Sequence, residues 1–211
     1  MSNQELTLYG SGTSRTLRTL WQANELQLEF THVPARARNG DTKTPAFLAL
    51  SSRHKVPIIR HGDLILTESA AIMTYLADHF PVPEHCYVAK DAVGRAEHLE
   101  WCFFIMTELD ANGLYTMRRH GDLRSIYGES PTAVQGGADY FLYQIERMEE
   151  ALRASSPFLM GDKISPADIL LTSCLDWAIR YGLSLPQYLL EYRETLISRP
   201  AYVKSTAQNS R

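Results

Sequence analysis

The stretch KVPIIRHGDLILTESAAI, residues 55–72, decides the interpretation of this chain. Its apolar runs PII and LILT flank the turn tripeptide HGD, a pattern typical of a β-hairpin. Pro57 cannot donate a ladder hydrogen bond, so we expect it at the start or the edge of the first strand. Glu68 and Ser69 then open a helical pattern, where unpaired backbone N–H groups favour an anion. The stretch therefore predicts two strands and a helix whose start is either a plain cap or an anion-binding site.

Strand and helix patterns alternate on the N-terminal side of this stretch. LTLY at 6–9 predicts a strand, and the residues after it have helical spacing. LQLEFTHV at 26–33 alternates apolar with polar residues, as a half-buried strand does, and PAFLALSS at 45–52 predicts a short helix. Together with the hairpin and the helix after it, the order is β-α-β-α-β-β-α.

Helical patterns follow the Pro-rich segment PVPEH. The segments 91–120 and 137–153 have amphipathic spacing, whereas 166–182 is apolar on most of its circumference. We therefore expect the last of these to be a buried, central helix. Ser165 and Asp168 form a variant of the capping box at its start, which is a folding signal rather than a catalytic one.

The sequence thus predicts an α/β part followed by an all-α part. We place the α/β domain at residues 1–80, a linker at 81–87 and an all-helical domain at 88–211. A chain of 211 residues is long enough for two small domains with cores of their own.

Composition and charge narrow the functional classes. A net charge of −3, 45% apolar and 21% charged residues are ordinary for a soluble globular protein, and indicate neither nucleic acid nor a membrane as partner. We find no pattern of a secretory signal and no apolar run of membrane-spanning length. Cys86, Cys102 and Cys174 lie far apart and form neither a CxxC motif nor a metal-binding spacing. We therefore expect reduced thiols, a cytoplasmic location and no metal.

The segment LTLYGSGTSRTLRTLW at 6–21 places two glycines between a strand and a helix start. There an anion or a reactive atom can come close to the backbone. A dinucleotide fingerprint is disfavoured, because Arg15 stands where its third glycine belongs. A plain turn explains the glycines but not the three hydroxyls of Ser11, Thr13 and Ser14. A helix cap needs one hydroxyl, which leaves at least one for another role.

Together these segments resemble the cytosolic glutathione S-transferases, and in particular bacterial-type members that use a serine or threonine hydroxyl. The resemblance covers essentially the whole chain, through the element order of the first half, the stretch 45–80 and the motif SPADILLTSCLDWA. It implies a thioredoxin-like N-terminal domain followed by an all-helical C-terminal domain. It also implies a cytoplasmic homodimer that transfers glutathione, its co-substrate, to an electrophile, as in detoxification.

The resemblance further implies how glutathione is held. The peptide bond before Pro57 would be cis, and the backbone of Val56 would pair with the cysteinyl residue of glutathione. Glu68 and Ser69 would bind the γ-glutamyl group, while lysines would face the glycyl carboxylate or the tripeptide backbone. The complete set of implied glutathione contacts is Lys43, Lys55, Val56, Pro57, Glu68 and Ser69.

The resemblance also suggests which group activates the thiol. Serine-type members carry the hydroxyl five residues before an arginine of the first helix, and counting back from Arg18 gives Thr13. Ser14 and Ser11 are the alternatives, and Tyr9 stands near the position of the phenol in tyrosine-type members. The turn contains no cysteine, which argues against the cysteine-type, deglutathionylating members.

The helical domain is implied to supply the electrophile site. We expect Trp101, Met106 and Tyr115 to form its walls, with a small hydrophobic electrophile as the substrate. Two alternatives stay open: a glutathione-dependent lyase, isomerase or peroxidase using the same site, and a non-catalytic binding or scaffold protein. Threonine in place of the usual serine keeps the second alternative open.

Overall fold

The computed structural model describes residues 5–211. Its first part follows the predicted order of strands and helices. The elements are β1 (Leu6–Ser11), α1 (Ser14–Glu25), β2 (Thr31–Arg36), α2 (Pro45–Leu50), β3 (Ile58–His61), β4 (Leu64–Thr67) and α3 (Ser69–His79). A short 3-10 turn, Asp41–Lys43, precedes α2.

Helices dominate the rest of the described chain, which confirms the predicted all-helical part. They are α4 (Ala92–Phe104), α5 (Thr116–His120), α6 (Arg124–Tyr127), α7 (Pro131–Glu146), α8 (Glu149–Ser155), α9 (Pro166–Arg180), α10 (Gln187–Ile197) and α11 (Pro200–Asn209). Between α4 and α5 the chain continues through wider, π-type turns at Ile105–Tyr115.

The chain forms two compact units. One holds the described residues up to Cys86 together with Ile197–Arg211, and the other holds Tyr87–Leu196. The contacts therefore group α11 with the α/β elements. The domain limits at residues 80 and 88 stay a prediction, because a unit of dense contacts is not by itself a folding domain.

The sheet of the first unit has the strand order β2-β1-β3-β4. β1 and β2 run parallel, whereas the other neighbouring pairs are antiparallel. Tyr9 lies opposite Val33 and Ile58, and Ile58 lies opposite Thr67. The end of β1, the start of β3 and the end of β4 therefore meet at one end of the sheet.

α1 is buried along most of its length, from Thr16 to Glu25. Its apolar residues Leu20 and Trp21 are fully buried, and the Trp21 ring contacts the ring of Tyr202 on α11 edge-on at a centroid distance of 4.8 Å. Because an aromatic pair of this geometry adds to the apolar area buried, α11 is firmly attached to the first unit.

α9 is the buried, central helix of the second unit, as predicted. Its residues from Pro166 to Leu175 are all buried. Ser165 caps the helix and forms a reciprocal capping box with Asp168. The buried Asp168 carboxylate also accepts hydrogen bonds from Leu159 N at 2.7 Å and from the Tyr192 hydroxyl at 2.6 Å. This carboxylate therefore joins the helix start to two other segments.

β2 begins at Thr31, whereas the sequence pattern placed a strand over 26–33. The difference arises at the end of α1. Gln27 takes a left-handed conformation with φ of 56°, and Leu28 N donates to Ala23 O at 3.0 Å. This arrangement satisfies the last carbonyls of the helix, so the alternating residues just before Thr31 belong to a helix end and a connection rather than a strand.

Candidate active site

The candidate site lies at the end of the sheet where β1 ends, β3 begins and β4 ends. The strand register brings three sequence segments to this end: the hydroxyl-rich turn at 11–14, the Val56-Pro57 dipeptide before β3, and the Glu68-Ser69 dipeptide after β4. β2 runs parallel to β1, and Arg36 lies opposite Ser11 at the same end. The three segments implied to bind or activate glutathione thus lie at one end of a single sheet.

Gly10 permits the close approach of two of these segments. Its φ is +133°, and a Cβ atom at this position would lie 2.9 Å from both Thr16 Oγ1 and Val56 Cβ. Such distances are too short for a side chain. The glycine therefore lets the end of β1 pack directly against α1 and against the segment that carries the cis proline.

Thr13 is the N-cap of α1, with extended backbone angles of −130° and 152°. Its Oγ1 accepts a hydrogen bond from Thr16 N at 3.0 Å and lies 2.8 Å from Thr16 Oγ1. Capping engages a lone pair of the hydroxyl and not its proton. Thr13 can therefore cap the helix and still donate a hydrogen bond, which the sequence argument did not consider.

The other hydroxyls and the tyrosine of this region differ in burial. Ser11 is fully buried on β1, and its Oγ has no hydrogen-bond partner among the described residues. Ser14 is the first residue of α1 and is half-buried, as is Thr13. Tyr9 packs against a small buried cluster that includes Val56 and Ile58. A substrate can therefore approach the hydroxyls of Thr13 and Ser14 more easily than that of Ser11.

The peptide bond between Val56 and Pro57 is cis, as the resemblance implied. Both side chains are buried, and Val56 belongs to the same small cluster. β3 begins immediately after them, at Ile58. The segment is thus fixed by the sheet on one side and by apolar packing on the other.

The dipeptide before α3 combines an exposed charge with a buried hydroxyl. Glu68 has an unusual φ of 70°, is exposed and lies 3.5 Å from the Arg53 guanidinium. Ser69 is only 2% exposed, and its Oγ has no hydrogen-bond partner in the described part of the chain. A buried hydroxyl without a partner is unfavourable. A polar ligand group at this helix N-terminus would supply the missing partner, and a γ-glutamyl carboxylate fits that requirement.

Lys43 and Lys55 are both exposed and lie in two neighbouring segments. Lys43 ends the 3-10 turn before α2, and Lys55 directly precedes Val56. A hydrogen bond of 3.0 Å between His54 Nδ1 and Thr42 O joins these segments. The two cations are thus available for an anionic ligand.

The second unit carries the three residues expected to contact the electrophile. All three are half-buried. Trp101 lines a pocket of about 320 Å³, together with Phe104 of α4 and Met148. Met106 and Tyr115 are not among the residues that line this pocket. This pocket therefore contains one of the three expected wall residues, and a site shared by all three stays a prediction.

One cluster in the first unit offers atoms of the kind that bind metals. The Glu25 carboxylate, the His85 ring and the Cys86 thiol lie within 4.8 Å of one another. The Arg199 guanidinium, however, donates to both carboxylate oxygens at 2.7 and 2.8 Å. Because a fixed cation already neutralises this carboxylate, the cluster is better described as an ion pair than as a metal site.

Two further residues, not predicted from the sequence, contact the hydroxyl-rich turn. Thr16 follows Thr13 by one helical turn, and this spacing of three is a signal that could have been noticed. Asn209 on α11 bonds to the turn through its side chain and its backbone carbonyl. No local pattern indicates Asn209, because it lies 196 residues from Thr13 in sequence.

Family models match both parts of the chain. The model described as "Glutathione S-transferase, N-terminal domain" matches residues 4–78, and "Glutathione S-transferase, C-terminal domain" matches residues 138–200. Glutathione S-transferase theta-1 of Bos taurus is 31% identical over 170 residues, which are 78% of this chain and 70% of the relative. Glutathione S-transferase F9 of Arabidopsis thaliana is 25% identical over 97% of this chain and 98% of its own.

The fold is similar to that of solved glutathione transferases. The glutathione transferase URE2P6 from Phanerochaete chrysosporium, solved in complex with oxidized glutathione, has a TM-score of 0.84 at 21% identity. The likeness covers 100% of this chain and 99% of that one, and at this identity it shows the fold. Among residues 5–211, none of the helices combines the length and apolar character needed to cross a membrane. Since the matching family models span well over half of the sequence, this chain belongs to the glutathione S-transferase family of enzymes.

Proposed function

We propose that this transferase activates the thiol of glutathione through the hydroxyl of Thr13, for transfer to a small hydrophobic electrophile. The observation that carries the proposal is the hydrogen bonding of Thr13 Oγ1, which accepts from Thr16 N and lies 2.8 Å from Thr16 Oγ1. When Thr16 donates in the second contact, Thr13 accepts twice and keeps its own proton for a sulfur atom. Two accepted hydrogen bonds also polarise that hydroxyl into a better donor.

A hydrogen bond and a helix N-terminus together can supply the free energy needed to lower the thiol pKa. An ordinary thiol has a pKa of about 8.5 and is mostly protonated at neutral pH, whereas the thiolate is the nucleophile. Lowering this pKa by about two units requires about 2.7 kcal/mol of selective thiolate stabilisation. A hydrogen bond to a charged group contributes about 1.5–3 kcal/mol, and a helix N-terminus about 0.3–1 kcal/mol. Thr13 at the start of α1 combines both contributions.

Glutathione would supply the sulfur nucleophile when bound, and the residues of this chain would hold and orient it. Ser69 Oγ is buried and has no hydrogen-bond partner among residues 5–211, which supports binding of the γ-glutamyl carboxylate, and the Glu68 carboxylate is suited to the adjacent ammonium. Lys43 and Lys55 offer cations to the remaining carboxylate. The backbone of Val56, which directly precedes Pro57 and β3, is suited to pairing with the central residue of the tripeptide.

The electrophile would contact Trp101, Met106 and Tyr115 of the second unit. Trp101 is supported by its place in a pocket that it lines with Phe104 and Met148, beside charged and polar side chains. Replacing Trp101 by alanine should raise the KM for a hydrophobic electrophile and leave the KM for glutathione unchanged. An unchanged electrophile KM would remove Trp101 from the proposed site.

We extend the proposal to a homodimer in the cytoplasm. Val93 and Phe103 of α4 expose 66% and 65% of their surface, and they lie on one exposed stripe with Ala96 and Glu100. A second copy of the chain would cover these apolar side chains. The mass in solution, measured by light scattering, should be that of a dimer, and Phe103→Glu should shift it towards the monomer. A wild-type monomer would contradict this extension.

The main test is an ultraviolet difference titration of glutathione bound to the protein, with the thiolate absorbance followed against pH. We expect a thiol pKa about two units below that of free glutathione, and a return most of the way to the free value in Thr13→Val. The variants Ser11→Ala and Ser14→Ala are matched controls that each remove one neighbouring hydroxyl. Binding with an unshifted thiol would contradict activation and favour a binding or scaffold role. A shift that survives Thr13→Val but not Ser14→Ala would transfer the role to Ser14.

A further inference from the structure

The end of α11 holds the hydroxyl-rich turn through two hydrogen bonds. Gly12 N donates to the backbone carbonyl of Asn209 at 2.8 Å, and Asn209 Nδ2 donates to Thr13 O at 3.2 Å. The carbonyl of Thr13 can only accept, so the amide nitrogen and not the amide oxygen must face it. One residue of α11 thus contacts two consecutive residues of the turn.

The turn needs such a support because its own backbone is permissive. Gly10 and Gly12 both have positive φ, at 133° and 70°, and glycine loses more conformational freedom on ordering than any other residue. Thr13 O also accepts from Leu17 N at 3.0 Å, as the first carbonyl of α1. The peptide group of Thr13 is therefore fixed from the α1 side by Leu17 and from the α11 side by Asn209.

α11 is itself held in place by contacts with α1. Asn24 Nδ2 on α1 donates to Ser205 Oγ and to Gln208 Oε1, both at 2.7 Å. Tyr202 adds the edge-on contact with Trp21 described above. The position of Asn209 is consequently set by contacts that do not involve the turn.

From this geometry we propose that Asn209 is a positioning residue that holds Thr13 where its hydroxyl can donate to the glutathione sulfur. The inference rests on the proposed function of Thr13 and names a residue that acts through it. Asn209 touches the backbone of Thr13 and not the reacting atoms. Its loss should therefore weaken activation of the thiol without removing the donor.

The test compares Asn209→Ala with Gln208→Ala by the same thiol titration and by steady-state kinetics. Asn209→Ala removes the bond to Thr13 O, whereas Gln208→Ala removes a bond between α11 and α1 and leaves the turn contacts in place. We expect Asn209→Ala to raise the thiol pKa of bound glutathione and to lower kcat about threefold to tenfold, with little change in the KM for glutathione. Gln208→Ala should change neither quantity. A purely structural role would lower stability in both variants without moving the thiol pKa.

Two further variants keep the inference distinct from the proposed function. Asn209→Asp keeps the shape of the side chain but replaces the amide donor by a carboxylate, so it should raise the thiol pKa at least as much. In the double variant Thr13→Val with Asn209→Ala, the second change should have no additional effect. If Thr13→Val leaves the thiol pKa unshifted from wild type, the role of the hydroxyl is wrong. If Thr13→Val raises it while both Asn209 variants match Gln208→Ala, only the inference on Asn209 is wrong.

Discussion

Arg199 and Glu25 lie 174 residues apart in sequence and form a two-point ion pair, with N–O distances of 2.7 and 2.8 Å. The Glu25 side chain is only 4% exposed and also accepts a hydrogen bond from Trp21 Nε1 at 2.9 Å. Burial acts to raise the pKa of Glu25, but the hydrogen bonds from Arg199 and Trp21, together with the charges of Arg199 and His85, outweigh it and lower the pKa from its ordinary value of 4.5. This pair thus ties the segment before α11 to the end of α1.

Breaking this pair should destabilise the protein strongly. Arg199→Ala leaves a buried carboxylate without its main counter-charge, so we expect the free energy of unfolding at neutral pH to fall by about 3 kcal/mol. Urea unfolding followed by tryptophan fluorescence measures the change. The control is Arg153→Ala, which breaks an exposed pair with Glu149 and should change the value by less than about 0.5 kcal/mol. Equal effects in the two variants would contradict the importance of the buried pair.

The same pair predicts a dependence of stability on pH. Because the folded pKa of Glu25 is lowered, its contribution is present above the ordinary value of 4.5 and is lost as the pH falls through the folded pKa. Glu25→Gln should therefore be less stable than the wild type near pH 7, and the gap should narrow below pH 4.5. Unfolding of both proteins across this pH range measures the gap. A gap that stays constant would show that Glu25 keeps its unfolded-state pKa.

Gly10 should not tolerate a side chain. In Gly10→Ala the new Cβ would lie 2.9 Å from Thr16 Oγ1 and from Val56 Cβ, on a backbone with φ of +133°. We expect a loss of about 2 kcal/mol or more in unfolding free energy and a clear loss of glutathione affinity. Gly40→Ala is the matched control, since its φ is +107° but no atom of the described residues lies within 4 Å of the added atom. The unfolding free energy of Gly40→Ala should fall by only about 1 kcal/mol, and its affinity for glutathione should not change.

Local patterns were sufficient to predict much of this fold. The hairpin of β3 and β4 and the capping box of Ser165 and Asp168 depend on residues close in sequence, and both are confirmed. The start of β2 was misplaced because a left-handed Gln27 ends α1 within an apolar alternation that also suits a strand. A single pattern compatible with two backbone conformations cannot choose between them without the tertiary contacts.

In the candidate site too, residues in local motifs could be predicted from the sequence, whereas a residue brought in by tertiary packing could not. The hydroxyls at 11–14 and the dipeptide at 68–69 were predicted because each lies in a recognisable local motif. The roles assigned to them stay predictions. Asn209 could not be found by pattern, because its contact with Thr13 exists only once α11 has packed on α1. The resemblance placed Thr13 before Ser14 and Ser11, and the full burial of Ser11 adds a physical reason to place Ser11 last.

The three cysteines should be unreactive in the native protein. All are buried, and burial together with the charge of Asp168 raises the pKa of the Cys102 thiol to about 12. A disulfide reagent such as DTNB should label almost no thiol in the native state and three after denaturation. Cys102→Ser should accordingly keep its turnover. A native thiol that is labelled within seconds, with loss of activity, would mean that a cysteine takes part in the chemistry.

Ser69→Ala should weaken glutathione binding without weakening the fold. Its Oγ is buried and has no hydrogen-bond partner in residues 5–211, so removing the hydroxyl breaks no contact of the protein itself. Loss of a bond to a ligand carboxylate of about 1.4 kcal/mol corresponds to tenfold weaker affinity, measurable by calorimetry. Thr74→Val is the control on the same helix, because its hydroxyl bonds within α3 to Ala70 O. Unchanged affinity in Ser69→Ala, at an unchanged melting temperature, would exclude this hydroxyl from the glutathione site.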